Sequence, residues 1–408
     1  MTAPDRPDLD LVEQAARARS AVQRQRALRA LAISAAITVV WAVAVTVLGH
    51  WSRIGEHWEA AITMVFGSFV AGSTPQGGGA VAFPVFTKLL DVPAEVARTF
   101  SLSIQTVGMG TATAAILIRR RVVQWRLAAI ATPAAVLAFV VVAWFAGDAD
   151  EPFRPSLLPG PYVKVTFTLV LAAMAIVVVL GRRIPVRVVE RDLPGAGPRV
   201  VTAALAAGAI GGVASALVGS GADVFTYLLV AVLIGLDPRI GVPTSVVVMT
   251  AVSVVGFVLL GLIDGHLDVT VVDGLVTQVG DVVVSEPLDA DRADLFGLWL
   301  AAVPIVAWGA PAGSAVAARL SIRHLVWLVV GLAAAETIST IVFLDELRSD
   351  AGLVAYAVVG AVVTTGGLFL AVRHRHALLG LDGFHGDRTF RRTDVEIDDD
   401  YLDHLEDE

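Results

Sequence analysis

The residues of this chain best suited to chemistry form two short tracts of glycine and small hydroxyl side chains. They are GSTPQGGG at Gly72–Gly79 and VGSGAD at Val218–Asp223. Each tract interrupts a long apolar region. Pro75 lacks a backbone donor and the glycines favour positive φ, so neither tract reads as regular helix. The half-helix resuming at about Gly79 turns free N–H groups and a partial positive charge back toward its tract, which suits an anion. Glycines also let an oxyanion come close to the backbone. The candidate binding groups are Ser73, Thr74, Gln76, Gly77, Gly78 and Gly79 in the first tract, and Gly219, Ser220 and Gly221 in the second. Thr99, Gln105, Thr244 and Ser245, on the helices that follow the tracts, add hydroxyls and an amide. The competing reading is that small residues merely permit close helix packing, and for the scattered Gly and Ala of the other spans that reading holds.

Two carboxylates stand inside apolar sequence: Asp223 in the second tract and Glu336 in LAAAETIST. A charge at the centre of a bilayer costs about 2.5–3.5 kcal/mol on insertion scales, so such residues tend to be functional. Either is a candidate to carry a coupling proton or to bind sodium; a neutral, hydrogen-bonded structural acid is the alternative. Arg98, near the start of a span, reads as an interfacial arginine. Other chemistries are missing. There are no cysteines, and the eight histidines form no HExxH or other paired-ligand pattern. No nucleophile elbow and no P-loop occurs, so neither a metal, a cofactor, an enzyme nor intrinsic ATP drive is expected.

The elements that must hold these residues are membrane spans. Of 408 residues, 56% are hydrophobic and 17% charged, whereas a soluble domain is about 25% charged. Mean hydropathy is +0.74. The apolar residues gather into stretches of about 20, the length that crosses a bilayer. Eight read as full spans: about Leu28–Leu48, Glu95–Ile118, Leu127–Phe145, Tyr162–Leu180, Gly241–Ile263, Leu295–Ala318, Leu325–Leu344 and Gly352–Val372. Two more regions, Ala60–Leu90 and Val200–Gly235, are broken by the tracts. If both are re-entrant hairpins, 23 of the 30 basic residues fall on one side, which the positive-inside rule makes cytoplasmic. Both termini then lie in the cytoplasm. Full crossing by the broken segments is the alternative.

A polar arm (1–27) precedes this transmembrane domain (28–372), with Ala15–Ala30 suited to an interfacial helix. The arm lacks the pattern of a signal peptide. The outer loops are acidic, at Asp148, Asp150 and Glu151 and across 264–294. In the latter, LDVTVVDGLVTQVGDVVV alternates weakly and admits a small β-hairpin. The tail (373–408) is acidic. Its eleven acids and three arginines from Leu381 onward equal the whole net charge of −8, so nucleic acid is not an expected partner.

The two broken regions repeat. Aligning Pro93 with Pro238 brings Thr99 onto Thr244 and Gln105 onto Thr250, and sets Gly77–Gly79 opposite Ala222–Val224. Each half is a hairpin plus three spans, about 59–181 and 199–345. An odd number of spans inverts the second half. Inverted repeats with interrupted helices at matching positions point to a transporter site near the midplane. The fold class expected is therefore an all-α polytopic membrane protein of two inverted repeats.

GSFVAGSTPQGGGAVAFPVFTKLLDVPAEVARTFSLS resembles the sulfite exporter TauE/SafE family, also called the toluene sulfonate uptake permeases. The copy GGVASALVGSGADVFTYLLVAVLIGLDPRIGVPTSVVV resembles that family's second motif, with Ala222-Asp223 where glycines are usual. The resemblance implies a secondary transporter of small anions such as sulfite or sulfonates in the cytoplasmic membrane, working by alternating access. An anion channel and, more remotely, a membrane-embedded enzyme are the alternatives.

Overall fold

The computed structural model describes residues 9–145, 158–181, 186–187, 197–263, 267, 269–272, 275–279, 282–283, 294–317, 319–320, 322–379 and 389–390. Asp148, Asp150 and Glu151, Arg182, Arg183 and Arg191, most of the loop 264–294 and the acidic run after Leu379 lie outside the described residues.

Among the described residues, eight helices are long and apolar enough to cross a membrane. In chain order the helices are α1 (Leu9–Leu48), α2 (Trp51–Glu56), α3 (Trp58–Ser73), α4 (Gly79–Lys88), α5 (Ala94–Ile118), α6 (Trp125–Phe145), α7 (Gly160–Gly181), α8 (Pro198–Val218), α9 (Ala222–Ile234), α10 (Pro238–Ile263), α11 (Leu295–Ala317), α12 (Ile322–Phe343), α13 (Glu346–Ser349), α14 (Ala351–Arg373) and α15 (Arg375–Leu379). The second halves of α9 and α10 wind as π-helix. Large apolar side chains coat the outside: Val40, Phe66, Phe145 and Val362 are each at least 68% exposed. Such a coat is unsuited to water and fits lipid.

The expected polytopic all-α architecture is what forms, and strands are confined to its margins. Val186–Arg187 pairs with Thr389–Phe390, and Val269–Val272, Leu275–Val279 and Val282–Val283 make a small antiparallel sheet within the 264–294 loop. Seven of the eight long helices are expected spans; α8, 21 residues long, is the eighth although it belongs to a broken region. The expected span at Tyr162–Leu180 falls in α7, itself 22 residues.

Both broken regions fold back as hairpins. The Cα of Gly78 faces the Gly67 carbonyl across the first, and Gly211 faces Gly221 and Ala222 across the second. The two halves interlock in a matched way. α3 lies along α11, where Gly309 and Gly313 meet Ser68 and the Phe69 carbonyl. α8 lies along α6, where Gly208 and Gly212 meet the carbonyls of Ala131 and Ala135. Thus each hairpin's first arm packs on the second span of the other half, through glycines four residues apart that let backbones touch. α5 and α10 run antiparallel between them: Thr113 bonds to Thr250, and Leu102 touches Gly256.

The repeat carries one correction. The half-helices begin at Gly79 and Ala222, so Asp223 stands opposite Ala80 and not opposite Gly78. The stretch from Ala222 to Pro238 is two residues longer than that from Gly79 to Pro93, and the π-helix at Leu228–Ile234 takes up the excess.

Candidate functional site

The two hairpin tips meet at the centre of the bundle. A side chain at Gly77 would begin 2.9 Å from Asp223 Oδ2 and 3.3 Å from Gln105 Oε1; one at Gly79 would begin 2.9 Å from Ser101 Oγ and 3.5 Å from Ser220 Cβ. The glycines are what allow two backbones and three polar side chains to converge. Gly77 has φ +67°, Gly219 φ +77° and Gly221 φ +150°, so these three also need freedom from a Cβ. Gln105 joins the tips. Its Nε2 donates to Ser101 Oγ at 2.7 Å and to the Gly219 carbonyl at 3.0 Å, and Ser101 Oγ donates to the same carbonyl at 3.1 Å.

The tips are unlike in their amides. In the second, Gly221 N–H and Val224 N–H donate to Asp223 Oδ1 at 3.2 and 2.9 Å, and Ala222 N–H donates to Ser215 Oγ at 3.0 Å. In the first, Gln76 N–H donates to Thr74 Oγ1, and the helix ladder resumes with Val81 N–H on the Gly78 carbonyl. Between them the chain turns tightly, and the N–H groups of Gly77, Gly78, Gly79 and Ala80 make no hydrogen bond of ordinary geometry among the described residues. All four residues are buried. Buried N–H groups are almost always bonded. Four in succession, opening a helix of ten residues, are donors of the kind an oxyanion accepts from.

The remaining expected residues sort by position. Ser73 and Thr74 turn their hydroxyls to the Val70 carbonyl at 3.5 and 3.0 Å and cap α3. Gln76 Nε2 donates to the Val329 carbonyl of α12 at 3.3 Å. Thr99 is buried on α5, nearly two turns before Gln105. Thr244 and Ser245 are not at the crossing. Thr244 Oγ1 donates to the Ile240 carbonyl and accepts from Gln124 N–H at the far end of α5's connection, while Ser245 Oγ donates to the Val242 carbonyl. Hydroxyls early in a helix find their own carbonyls first. Ser101 was missed by the sequence reading; its place one turn before Gln105 was the available signal.

Glu336 is also elsewhere. It accepts from Lys88 Nζ at 2.6 Å and from Thr168 Oγ1 at 2.8 Å, in a buried cluster with Thr340. Lys88 is buried there.

A small cleft is lined by Gly72, Arg121, Arg239, Pro243, Ser314 and Leu325. Arg121, Arg239 and Leu325 lie at the end of the bundle shared by the starts of α6, α8, α10 and α12. Leu379, after the last long helix, packs at that same end with Leu127 and Val200.

The family model described as Sulfite exporter TauE/SafE matches residues 60–340. The chain belongs to the TauE/SafE family. The matched span of this TauE/SafE member begins in α3 and ends in α12, so it takes in both hairpins and leaves out α1 and α14. No curated protein and no solved structure matches the chain. Membership, with the eight long apolar helices, makes it a multi-pass protein of a membrane transporter family.

Proposed function

We propose that this protein is a secondary transporter that carries a small sulfur-containing oxyanion, sulfite or a sulfonate, across the cytoplasmic membrane by exposing the hairpin crossing alternately to either side. The observation that carries the reading is the row of four open N–H groups at Gly77–Ala80, buried where the hairpins meet. A sulfite or sulfonate head has three oxygens and is small enough for such a cradle, and charge-assisted bonds from backbone N–H groups are stronger than neutral ones. Matched hairpins from two interlocked halves are the arrangement from which alternating access follows by rocking one half against the other. The cleft lined by Gly72, Arg121 and Arg239 lies at the end assigned to the cytoplasm by arginine content. Arginines there raise the local concentration of anions.

The test is uptake and counterflow of labelled sulfite, sulfoacetate, taurine and acetate in proteoliposomes. Saturable flux of sulfite or a sulfonate, accelerated by the same anion on the opposite side, is expected. Flux that does not saturate and shows no counterflow would make the protein a channel, and no anion flux at all would remove the transport reading.

A further inference from the structure

The crossing holds a second feature that an anion alone does not explain. Asp223 is fully buried, and only Oδ1 is engaged, by Gly221 N–H, Val224 N–H and, at 3.5 Å, Ser220 Oγ. Oδ2 meets no donor among the described residues, and neither does Oε1 of the buried Gln105. Both oxygens point at the same spot beside Gly77, 2.9 and 3.3 Å from where its side chain would begin. The orientation of the Gln105 amide is fixed by chemistry. The Gly219 carbonyl can only accept, so Nε2 must face it, which leaves Oε1 turned to Gly77. Two buried acceptors beside one glycine, each without a donor, are each unfavourable by roughly 1–3 kcal/mol. They stand directly beside the four open N–H groups.

We propose that a proton binds between Asp223 Oδ2 and Gln105 Oε1 and is carried together with the anion. Protonated, Oδ2 becomes the missing donor to Oε1, and the carboxyl no longer repels an anion seated on Gly77–Ala80. Ionised, the same carboxylate opposes the anion at close range. Each therefore favours the other's binding, which is the condition for symport. In one cycle a proton adds to Oδ2 and an anion to the N–H cradle on one side; both leave on the other, and Asp223 returns as carboxylate. A single shared proton matches two oxygens, where a sodium ion would call for a fuller oxygen cage. The charged groups on the elements packed around Asp223 are Glu59, Lys88, Glu95, Arg98, Arg121, Arg199, Asp237 and Arg239. Of these, Lys88 is bonded to Glu336, Arg98 brings its backbone to Gly219, and Arg199, Asp237 and Arg239 belong to the opposite ends of their helices. Glu336 is thereby replaced as a coupling residue: its charge already has a partner in Lys88.

This inference rests on the transporter reading, and the experiment separates the two. Proton uptake on sulfite binding is measured by calorimetry in buffers of different ionisation heat, at several pH values, for the full chain and for Asp223→Asn. Sulfite titrates near neutrality, but that contribution is common to both proteins and cancels in the difference. The wild type is expected to take up close to one proton more per sulfite on the alkaline side, and to bind sulfite more tightly as pH falls, while the affinity of Asp223→Asn follows only sulfite's own titration. Equal proton counts would overturn the proposal. Should Asp223→Asn not fold, infrared spectra of the wild type decide the matter: the carbonyl band of a protonated carboxylic acid must grow as sulfite binds, and a flat band overturns it. Sulfite flux without proton uptake would sink only this inference; absence of flux would sink the transporter reading itself.

Discussion

Lys88 Nζ and Glu336 Oε1 lie 2.6 Å apart, with both side chains almost wholly removed from solvent. Lys88 closes the first hairpin at the end of α4, and Glu336 sits within α12 in the other half. Lys88 also donates to Ser339 Oγ and Thr340 Oγ1, and Thr168 of α7 donates to Glu336. Removing one member strands a buried charge, which costs about 3–5 kcal/mol. Lys88→Met and Glu336→Gln are each expected to lower unfolding stability in detergent by that amount. The double substitution is expected to recover most of it, because no charge is then left alone. A double mutant as unstable as the sum of the singles would show that the pair is not a unit.

Gly79 offers a narrow test of the oxyanion cradle. The methyl group of Gly79→Ala would begin 2.9 Å from Ser101 Oγ, which can turn aside by giving up its bonds to Gln105 and the Gly219 carbonyl, a local loss compatible with folding. It would crowd the junction of the two tips, 3.5 Å from Ser220 Cβ. Losing two charge-assisted hydrogen bonds of about 1.5–3 kcal/mol each predicts a fall of at least about a hundredfold in sulfite affinity, with an unchanged elution profile. Gly78 is the poorer probe, despite its central position in the tract. Its Cα faces the Gly67 carbonyl and Ala71, at 3.2 and 3.4 Å for an added Cβ, so Gly78→Val would part the hairpin itself.

How much of this was legible follows from where each signal resides. The hairpins were readable because proline and glycine act locally: Pro75 removes a donor and Gly77 takes a positive φ, whatever surrounds them. Gln105 was readable through the repeat. The Lys88–Glu336 pair was not, since it joins residues 248 apart in sequence and nothing in either neighbourhood announces the other. Thr244 and Ser245 misled for the opposite reason. The repeat matches Thr244 with Thr99, but α10 runs antiparallel to α5, so its start lies at the other end of the bundle. The imbalance between the tips was also hidden, because it depends on Asp223 reaching round to its own tip's amides. A ligand set is a matter of angles, and the repeat fixed only positions along the chain.

Asp294 supplies a pH-dependent contact outside the spans. Burial acts to raise its pKa, but hydrogen bonds from His57 Nε2 (2.9 Å), Arg53 Nε (2.6 Å) and Gly297 N–H (2.9 Å) outweigh it and hold the carboxyl well below the usual range. A depressed folded-state pKa means stability that is present above the unfolded value of about 3.9 and is lost as the pH falls below it. Asp294→Asn should therefore unfold at a lower temperature than the wild type at neutral pH, with a constant gap down to about pH 5. The gap should close on further acidification. A gap that widened with acid would reverse the assigned sign.

Arg239 tests whether the cleft is a route for the anion. It follows Pro238 at the start of α10, its N–H donates to the Asp237 cap at 2.7 Å, and its residue lines the cleft with Arg121. Arg239→Gln keeps that backbone bond and removes one positive charge from the route. Steering by surface charge acts on encounter rates and is screened by salt, with a Debye length of about 8 Å at physiological ionic strength. Sulfite presented from this side should show a raised KM with little change in kcat, and the difference from wild type should shrink as salt rises. Sulfite presented from the opposite side should not respond, because the cleft is then closed to it. If Arg239→Gln altered both sides equally, the anion would not pass between Arg239 and Gly72, and the sidedness assigned to this cleft would fail.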